Sequence, residues 1–272
     1  MDRRAMAEET LEILWQGYYE PNPTRRIAIK DAVEQSVRRS VLLSPSEGER
    51  ILEKYRGGHD GRQPETRVEN LSAVKAIRIL AAEGKTGIGV LNFASAKRPG
   101  GGFLNGAKAQ EETLTVSSSL YPTLMAHETY YDKNRANRSM MYLDYGIYSP
   151  DVVFFRDEAL RLTEPPVTAS VLTLPAVNMG QVLLKGEDEE EAKRVMRRRM
   201  QLALAIFARQ GARHLVLGAF GCGVFRNDPR DIAAWWRELL EDMGPHFASV
   251  LHAVYDRSFD QRCIRAFTEG GR

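Results

Sequence analysis

Residues 214–255, HLVLGAFGCGVFRNDPRDIAAWWRELLEDMGPHFASVLHAVY, decide the fold class. They open on a short apolar run (214–220), rich enough in branched side chains to be a buried strand. Asp228-Pro229 follows, a capping residue before a proline at the first helical position, and it predicts a helix over 229–243 that stops ahead of Gly244-Pro245. A second apolar run (250–255) closes the unit. Reading backwards, residues 187–210 form another helix. It begins acidic at Glu187-Asp188-Glu189-Glu190-Glu191 and turns basic at Lys193, Arg194, Arg197, Arg198 and Arg199, the order that suits the helix dipole. Its apolar stripe is Ala192, Val195, Met196, Ala203, Ile206 and Phe207, and its charged first half reads as a solvated face. Further apolar runs at 88–93, 152–155 and 170–174 and a short strand at 65–69 read as strands, with a helix over 71–83. Strands alternating with helices imply an α/β fold, a mostly parallel or mixed sheet sandwiched between helices.

The front of the chain reads differently. Residues 4–18 have helical periodicity, with Leu11, Leu14, Trp15 and Tyr18 on one face, and Pro21 and Pro23 end that helix. Two more helices are expected at 28–41 and 46–56, then a glycine-rich loop at 56–62. The expected organisation is a helical N-terminal extension over 1–64, packed on one α/β domain over 65–272.

Composition removes several function classes. Of 272 residues, 43% are hydrophobic and 27% charged, which excludes a disordered chain. No window holds 18 uncharged apolar residues, so no membrane helix is predicted, and the N-terminus reads as an amphipathic helix and not as a secretory signal. Lys+Arg 38 against Asp+Glu 36 leaves +2, which argues against a protein that coats nucleic acid. Two cysteines, Cys222 and Cys263, make no disulfide framework, so a reduced, cytoplasmic setting is expected.

In open α/β sheets, ligands bind beyond the carboxyl ends of the strands. Three segments are expected there: 92–102, 176–180 and 218–227. The first runs into NFASAKRPGGGFLNGAKAQEE, residues 92–112. Gly100, Gly101 and Gly102 would let backbone N–H groups approach a bulky anion, and Gly218, Gly221 and Gly223 form a second such cluster. Either cluster alone reads as a turn. Both at strand ends, with an acid pair after the first, suit a pyrophosphate between two ribose groups. Neither matches a phosphate loop of the G-x-x-x-x-G-K-[ST] kind or a dinucleotide G-x-G-x-x-G loop. Gln110, Glu111 and Glu112 open a helix expected to run through Leu114, Ser118 and Tyr121. Adjacent helix positions lie about 100° apart, so two glutamates there would do different jobs: one as general acid on a glycosidic oxygen, the other holding a sugar hydroxyl. The plainer reading is two acids complementing the helix dipole. A helix N-terminus lowers a carboxylate pKa, whereas an acid catalyst needs it raised.

Gly100-Gly101-Gly102, seven residues, then Gln110-Glu111-Glu112 resembles the signature of poly(ADP-ribose) glycohydrolases, and the surrounding segment looks like the bacterial, single-domain branch. Ala7-Glu8-Glu9-Thr10-Leu11, Tyr148-Ser149-Pro150 with Val153 and Phe155-Arg156, and the 218–223 loop extend the likeness over nearly the whole chain. The resemblance implies a macrodomain-like fold and hydrolysis of the ribose–ribose O-glycosidic bond of poly(ADP-ribose), releasing ADP-ribose. It implies Glu112 as the catalytic acid, Glu111 as the neighbour that holds ribose hydroxyls, and Gln110 as the motif glutamine. Gly100 to Gly102 would lie over the diphosphate and the adjoining ribose, and Gly221, Gly223, Val224 and Phe225 would form the second phosphate loop. Ser95 stands where animal members carry asparagine, and its hydroxyl would take over a ribose contact. For the adenine end the candidates are Asn92, Phe93, Tyr255 and Phe259. The implied partners are poly(ADP-ribose), the product ADP-ribose and ADP-ribosylated proteins, with no cofactor, no metal, no membrane and no direct nucleic-acid partner, on a monomer. The residues themselves leave three alternatives open: hydrolysis of protein-linked mono-ADP-ribose, an ADP-ribose-binding module without chemistry, and a binder of single-stranded nucleic acid, which the net charge of +2 disfavours.

The remaining chemistry-bearing residues read as structural. His127, His214 and His252 have no ligand spacing. Cys222 is expected to fill a tight loop, and Trp235 and Trp236 to pack within a helix. Tyr130, Tyr131, Tyr142, Tyr145 and Tyr148 read as a packed loop, the alternative being a rim that stacks adenines.

Overall fold

A computed structural model describes residues 2–56 and 62–269. The expected loop at 56–62 therefore falls mostly outside the described residues. Helices α1 (Arg3–Gln16), α2 (Lys30–Arg39) and α3 (Pro45–Tyr55) form the front of the chain, with strands β1 (Tyr18–Asn22), β2 (Arg25–Ala28) and β3 (Val41–Leu43) between them. Then come β4 (Glu65–Glu69), α4 (Ala73–Ala82), β5 (Ile88–Ala94), α5 (Gln110–Val116), α6 (Leu120–Met125), α7 (Glu128–Ala136), β6 (Gly146–Arg156) and β7 (Leu162–Pro175). The chain closes with α8 (Met179–Lys185), α9 (Glu189–Arg209), β8 (His214–Leu217), α10 (Pro229–Met243), β9 (Ser249–Ala253) and α11 (Arg262–Glu269).

Seven strands form one mixed sheet in the order β3-β6-β7-β5-β8-β9-β4. The five strands from β7 to β4 run parallel, and β6 runs against β7 and β3. Alternation along the central strands supplies both faces. Leu91, Leu172, Leu174, Leu215, Leu217 and Val250 point to one side, where α3, α9 and α10 cover them. Ile88, Val90, Val171, Val216 and Leu251 point to the other, under α4, α5, α6 and α7. Burial of both faces is why these strands read as continuous apolar runs.

The lead-in expected to be helical also carries three strands. Helix α1 ends earlier than the prolines suggest, because Gly17 adopts φ +78° and returns its N–H to Ile13 O at 2.9 Å. Residues 18–28 then pair as a hairpin, and Val41-Leu42-Leu43 joins the main sheet beside Tyr148-Ile147-Gly146. The buried face of α1 is Met6, Ala7, Thr10 and Ile13, whereas Trp15, expected inside, is 87% exposed. Met6 and Ala7 pack with Phe103, Val116 and Leu160, which sets the first turn of α1 against the segment that follows the triple glycine.

The charged first half of α9 is not wholly a solvated face. Arg199 is buried; its Nε donates to Asp144 Oδ1 at 2.7 Å and its Nη1 to Met141 O at 2.7 Å and Pro175 O at 3.1 Å. It thereby ties the 141–144 segment to the end of β7. A buried guanidinium is tolerated only when its donors are met in this way.

His252 on β9 is buried among the rings of Trp236 and Phe267, and its Nδ1 has no hydrogen-bond partner among the described residues. Burial pushes its imidazole down to about 4 from 6.5. Between those values the unfolded chain binds the proton that the folded chain refuses, so folding stability falls as pH falls across that window. On the order of 3 kcal/mol should be lost through this residue between about pH 6.5 and about pH 4. Urea denaturation of the native chain and His252→Leu side by side should show the native chain losing about this much stability relative to the variant as pH falls across the window.

Candidate active site

Strands β7, β5 and β8 are neighbours and parallel, so their carboxyl ends share one edge of the sheet. The segments 95–102, 176–180 and 218–227 leave from that edge, as expected for a ligand-binding rim. Phe93 at the end of β5 and Phe220 at the start of the 218–227 loop pack with ring centroids 5.3 Å apart.

The first loop is folded around the two glutamates that open α5. Gln110 sets the helix on the strand: its Oε1 accepts from Phe93 N at 2.9 Å and its Nε2 donates to Leu91 O at 2.8 Å. Glu111 then accepts from Ser95 N at 2.7 Å, at the start of the loop, and from Asn92 Nδ2 at 3.3 Å. Glu112 Oε1 accepts from Gly102 N at 2.8 Å, at the loop's end. Adjacent helical positions point in different directions, and the loop passes in front of both. Gly101 makes this approach achievable. It adopts φ +62°, and a Cβ there would collide with Glu112 Oε1 and come within 2.9 Å of Glu111 Oε2.

The two carboxyls have different environments. Glu111 is sealed in, and burial pushes it up to about 8 although the Ser95 N–H and the Asn92 amide pull it down. The helix N-terminus does not decide its protonation; desolvation does. Glu112 keeps one oxygen on Gly102, while its Oε2 is buried with no hydrogen-bond partner among the described residues. A carboxyl held by one oxygen and free at the other is placed to exchange a proton with something that enters the site.

Asn92 is fully buried, and its amide also donates to Thr173 Oγ1 at 3.2 Å, so its Nδ2 serves as a support beneath Glu111. The Ser95 hydroxyl accepts from Lys97 N and Arg98 N, both at 3.2 Å, and so shapes the loop. In the second loop Gly221 adopts φ +74°, where a Cβ would lie 2.5 Å from Asn227 Nδ2 and 2.6 Å from Ala176 Cβ. Asn227, which sequence reasoning passed over, holds that loop: its Nδ2 donates to Val177 O at 2.8 Å and to Gly221 O at 3.1 Å. Its position just before the Asp228-Pro229 cap is the one signal it carries. Phe225 is half-buried near Tyr142, ring centroids 6.0 Å apart, and its carbonyl accepts from Gly180 N at 3.0 Å. Gly223 and Val224 are exposed, Val224 at 84%. Tyr255 and Phe259 are also exposed. Cys222 is buried and burial pushes its thiol far up, which suits a loop filler and not a nucleophile. Among the described residues no group of His, Cys, Asp and Glu is arranged to hold a metal ion, and no helix is long and apolar enough to cross a membrane.

A family model described as microbial-type PARG, catalytic domain, matches residues 7–157. The chain belongs to that family. The PARG match contains the triple glycine, both glutamates and the whole of β6. A solved poly(ADP-ribose) glycohydrolase from Thermomonospora curvata is 42% identical, with 98% of each chain covered and a TM-score of 0.93. The same protein bound to the inhibitor ADP-HPD matches at 41% identity, 98% coverage of each chain and a TM-score of 0.91. The poly(ADP-ribose) glycohydrolase of Deinococcus radiodurans, in complex with ADP-ribose, is 39% identical over 87% of this chain and 96% of its own, with a TM-score of 0.81. The mixed sheet between helices is thus the macrodomain-like fold of PARG. Among curated proteins nothing matches.

Two outcomes test this geometry. Gly101→Ala should fold with a displaced loop and lose activity by roughly 100-fold or more, since small misplacements at a reacting centre cost that much; Gly223→Ala, where a Cβ meets nothing within 4 Å, should keep the wild-type melting temperature. Second, Glu111 holds its proton up to about 8 when folded and releases it near 4.5 when unfolded. Through this group folding stability falls as pH rises from about 4.5 to about 8, so paired denaturation curves should show the native chain losing stability relative to Glu111→Gln over that range.

Proposed function

We propose that this chain hydrolyses the ribose–ribose O-glycosidic bond of poly(ADP-ribose), with Glu112 as acid and then base. One observation carries the assignment of roles: Glu112 is buried with one oxygen fixed by Gly102 N and the other unpartnered, while both oxygens of Glu111 are engaged. Backbone N–H groups of the 221–225 segment take the diphosphate, with the 100–102 loop lying over it; in that loop the Gly101 and Gly102 N–H groups are already given to Arg98 O and Glu112. Protonated Glu112 gives its proton to the leaving ribose oxygen as the anomeric C–O bond breaks. The anomeric carbon gains oxocarbenium character, which the nearby diphosphate stabilises. Glu112, now a carboxylate, removes a proton from water, and the water oxygen bonds to the anomeric carbon. The products are ADP-ribose and a shortened polymer with a free hydroxyl. A single residue works in both halves, so the separation rule for paired carboxylates does not apply.

Glu111 positions ribose hydroxyls and keeps the loop in place through Ser95 N. Val224 and Phe225 border the ribose from the second loop, and Tyr255 and Phe259 offer surface for adenine. ADP-ribosylated proteins are the source of the polymer. Two free cysteines support a reduced, cytoplasmic setting.

Glu112→Gln keeps the Gly102 contact through its amide oxygen and removes the proton. It should bind ADP-ribose with near-native affinity, measured by calorimetry, and lose turnover on the polymer by roughly 10²–10⁴-fold. Near-native turnover in this variant would remove Glu112 from the role.

A further inference from the structure

The N-terminal helix reaches the site, and its contacts there are unfinished. Besides the apolar packing of Met6 and Ala7, Arg4 Nε donates to Asn105 O at 3.3 Å. Gly106 lies so close to Arg3 that a Cβ on it would be 3.3 Å from Arg3 Cβ. The turn these residues grip, 103–106, directly follows Gly102, whose N–H holds Glu112. Arg3 has an Nη1 that is buried and finds no hydrogen-bond partner among the described residues. Glu112 Oε2 is in the same condition. Burial weakens the guanidinium's hold on its proton, against the opposing pull of Glu112 and the Tyr255 hydroxyl. Two buried polar atoms, one a donor, are thus kept in one neighbourhood without being joined. Desolvating a cation's N–H with no acceptor is costly, and such a cost persists where a ligand supplies the acceptor.

We propose that Arg3 is a further substrate-binding residue, whose Nη1 donates to a phosphate oxygen of the polymer unit on the leaving side of the scissile bond. This rests on the role of Glu112 given above. On that reading the diphosphate of the released unit is served by backbone N–H groups of the 221–225 loop, so it does not require this cation. On the proposed role of Glu112 its Oε2 would face the leaving ribose oxygen, and Arg3, carried by the helix packed over the 103–106 turn, would meet the leaving unit. A guanidinium fork matches phosphate geometry and keeps its charge at any working pH. The N-terminal helix would then be part of the polymer site and not only a support for the sheet.

The test uses full-length protein carrying Glu112→Gln, so that polymer stays intact during titration. Affinity for purified poly(ADP-ribose) and for ADP-ribose is measured over a salt series, with Arg3, Arg3→Ala and Arg3→Lys. Arg3→Ala should weaken polymer binding roughly tenfold and lower the salt slope by about one, while ADP-ribose affinity stays within about twofold. Arg3→Lys should restore the salt slope and most of the affinity. Unchanged polymer affinity in Arg3→Ala overturns the proposal. An equal loss for both ligands places the cation on the released unit and also overturns it. A fall in melting temperature with no rescue by lysine assigns Arg3 to packing alone. If the Glu112→Gln protein with Arg3 intact binds neither ligand, the reading of the site falls first and Arg3 with it.

Discussion

Two backbone hydrogen bonds hold the chemistry in place. Ser95 N donates to Glu111 and Gly102 N donates to Glu112, so the loop that leaves β5 is fastened at both ends to the first turn of α5. The carboxyls and the loop position each other. Removing either glutamate loosens the glycines, and adding a side chain at Gly101 pushes the carboxyls away. Everything else in the domain keeps this arrangement at the sheet edge. Gln110 clamps the helix to the main chain of β5, and Asn92 supports Glu111 from below. On the far side, Asn227 and Arg199 secure the segments after β8 and β7.

The same arrangement explains why two adjacent glutamates differ. Glu111 is surrounded, both its oxygens accept hydrogen bonds, and burial raises it. Glu112 has one anchored and one unpartnered oxygen. Precision in the anchored oxygen and freedom in the other suit the role proposed for Glu112, which would give and then take a proton at a fixed point. The buried, unsatisfied atoms near this point are local costs, of the kind expected where a substrate completes the set of partners.

Much of this was legible in the sequence because it rests on local rules. The strand at 65–69 and the helix at 229–243 have the expected bounds, since apolar runs and a Asp-Pro cap are local signals. The acid pair and both glycine clusters were visible for the same reason. What escaped depends on distant partners. The helix expected to continue from Gln110 through Tyr121 breaks after Val116, because Ser119 exchanges hydrogen bonds with Val153 on β6. Val41 looks like the last residue of a helix until β6 offers residues 41–43 an edge. The inward turn of Arg199 depends on Asp144, and the face of α1 depends on the 103–106 turn. Arg3 has no sequence signal at all; only packing of α1 against that turn brings it near Glu112.

Family membership makes this chain a glycosidase, and on the proposed reading its phosphate recognition needs backbone N–H groups more than a basic surface. The net charge of +2 therefore fits a polyanionic substrate without contradiction. The direct test is to incubate the purified chain with poly(ADP-ribose) at neutral pH and size the products over time. The account predicts steady release of ADP-ribose as the polymer shortens. Intact polymer after prolonged incubation, from protein shown to be folded, would contradict it.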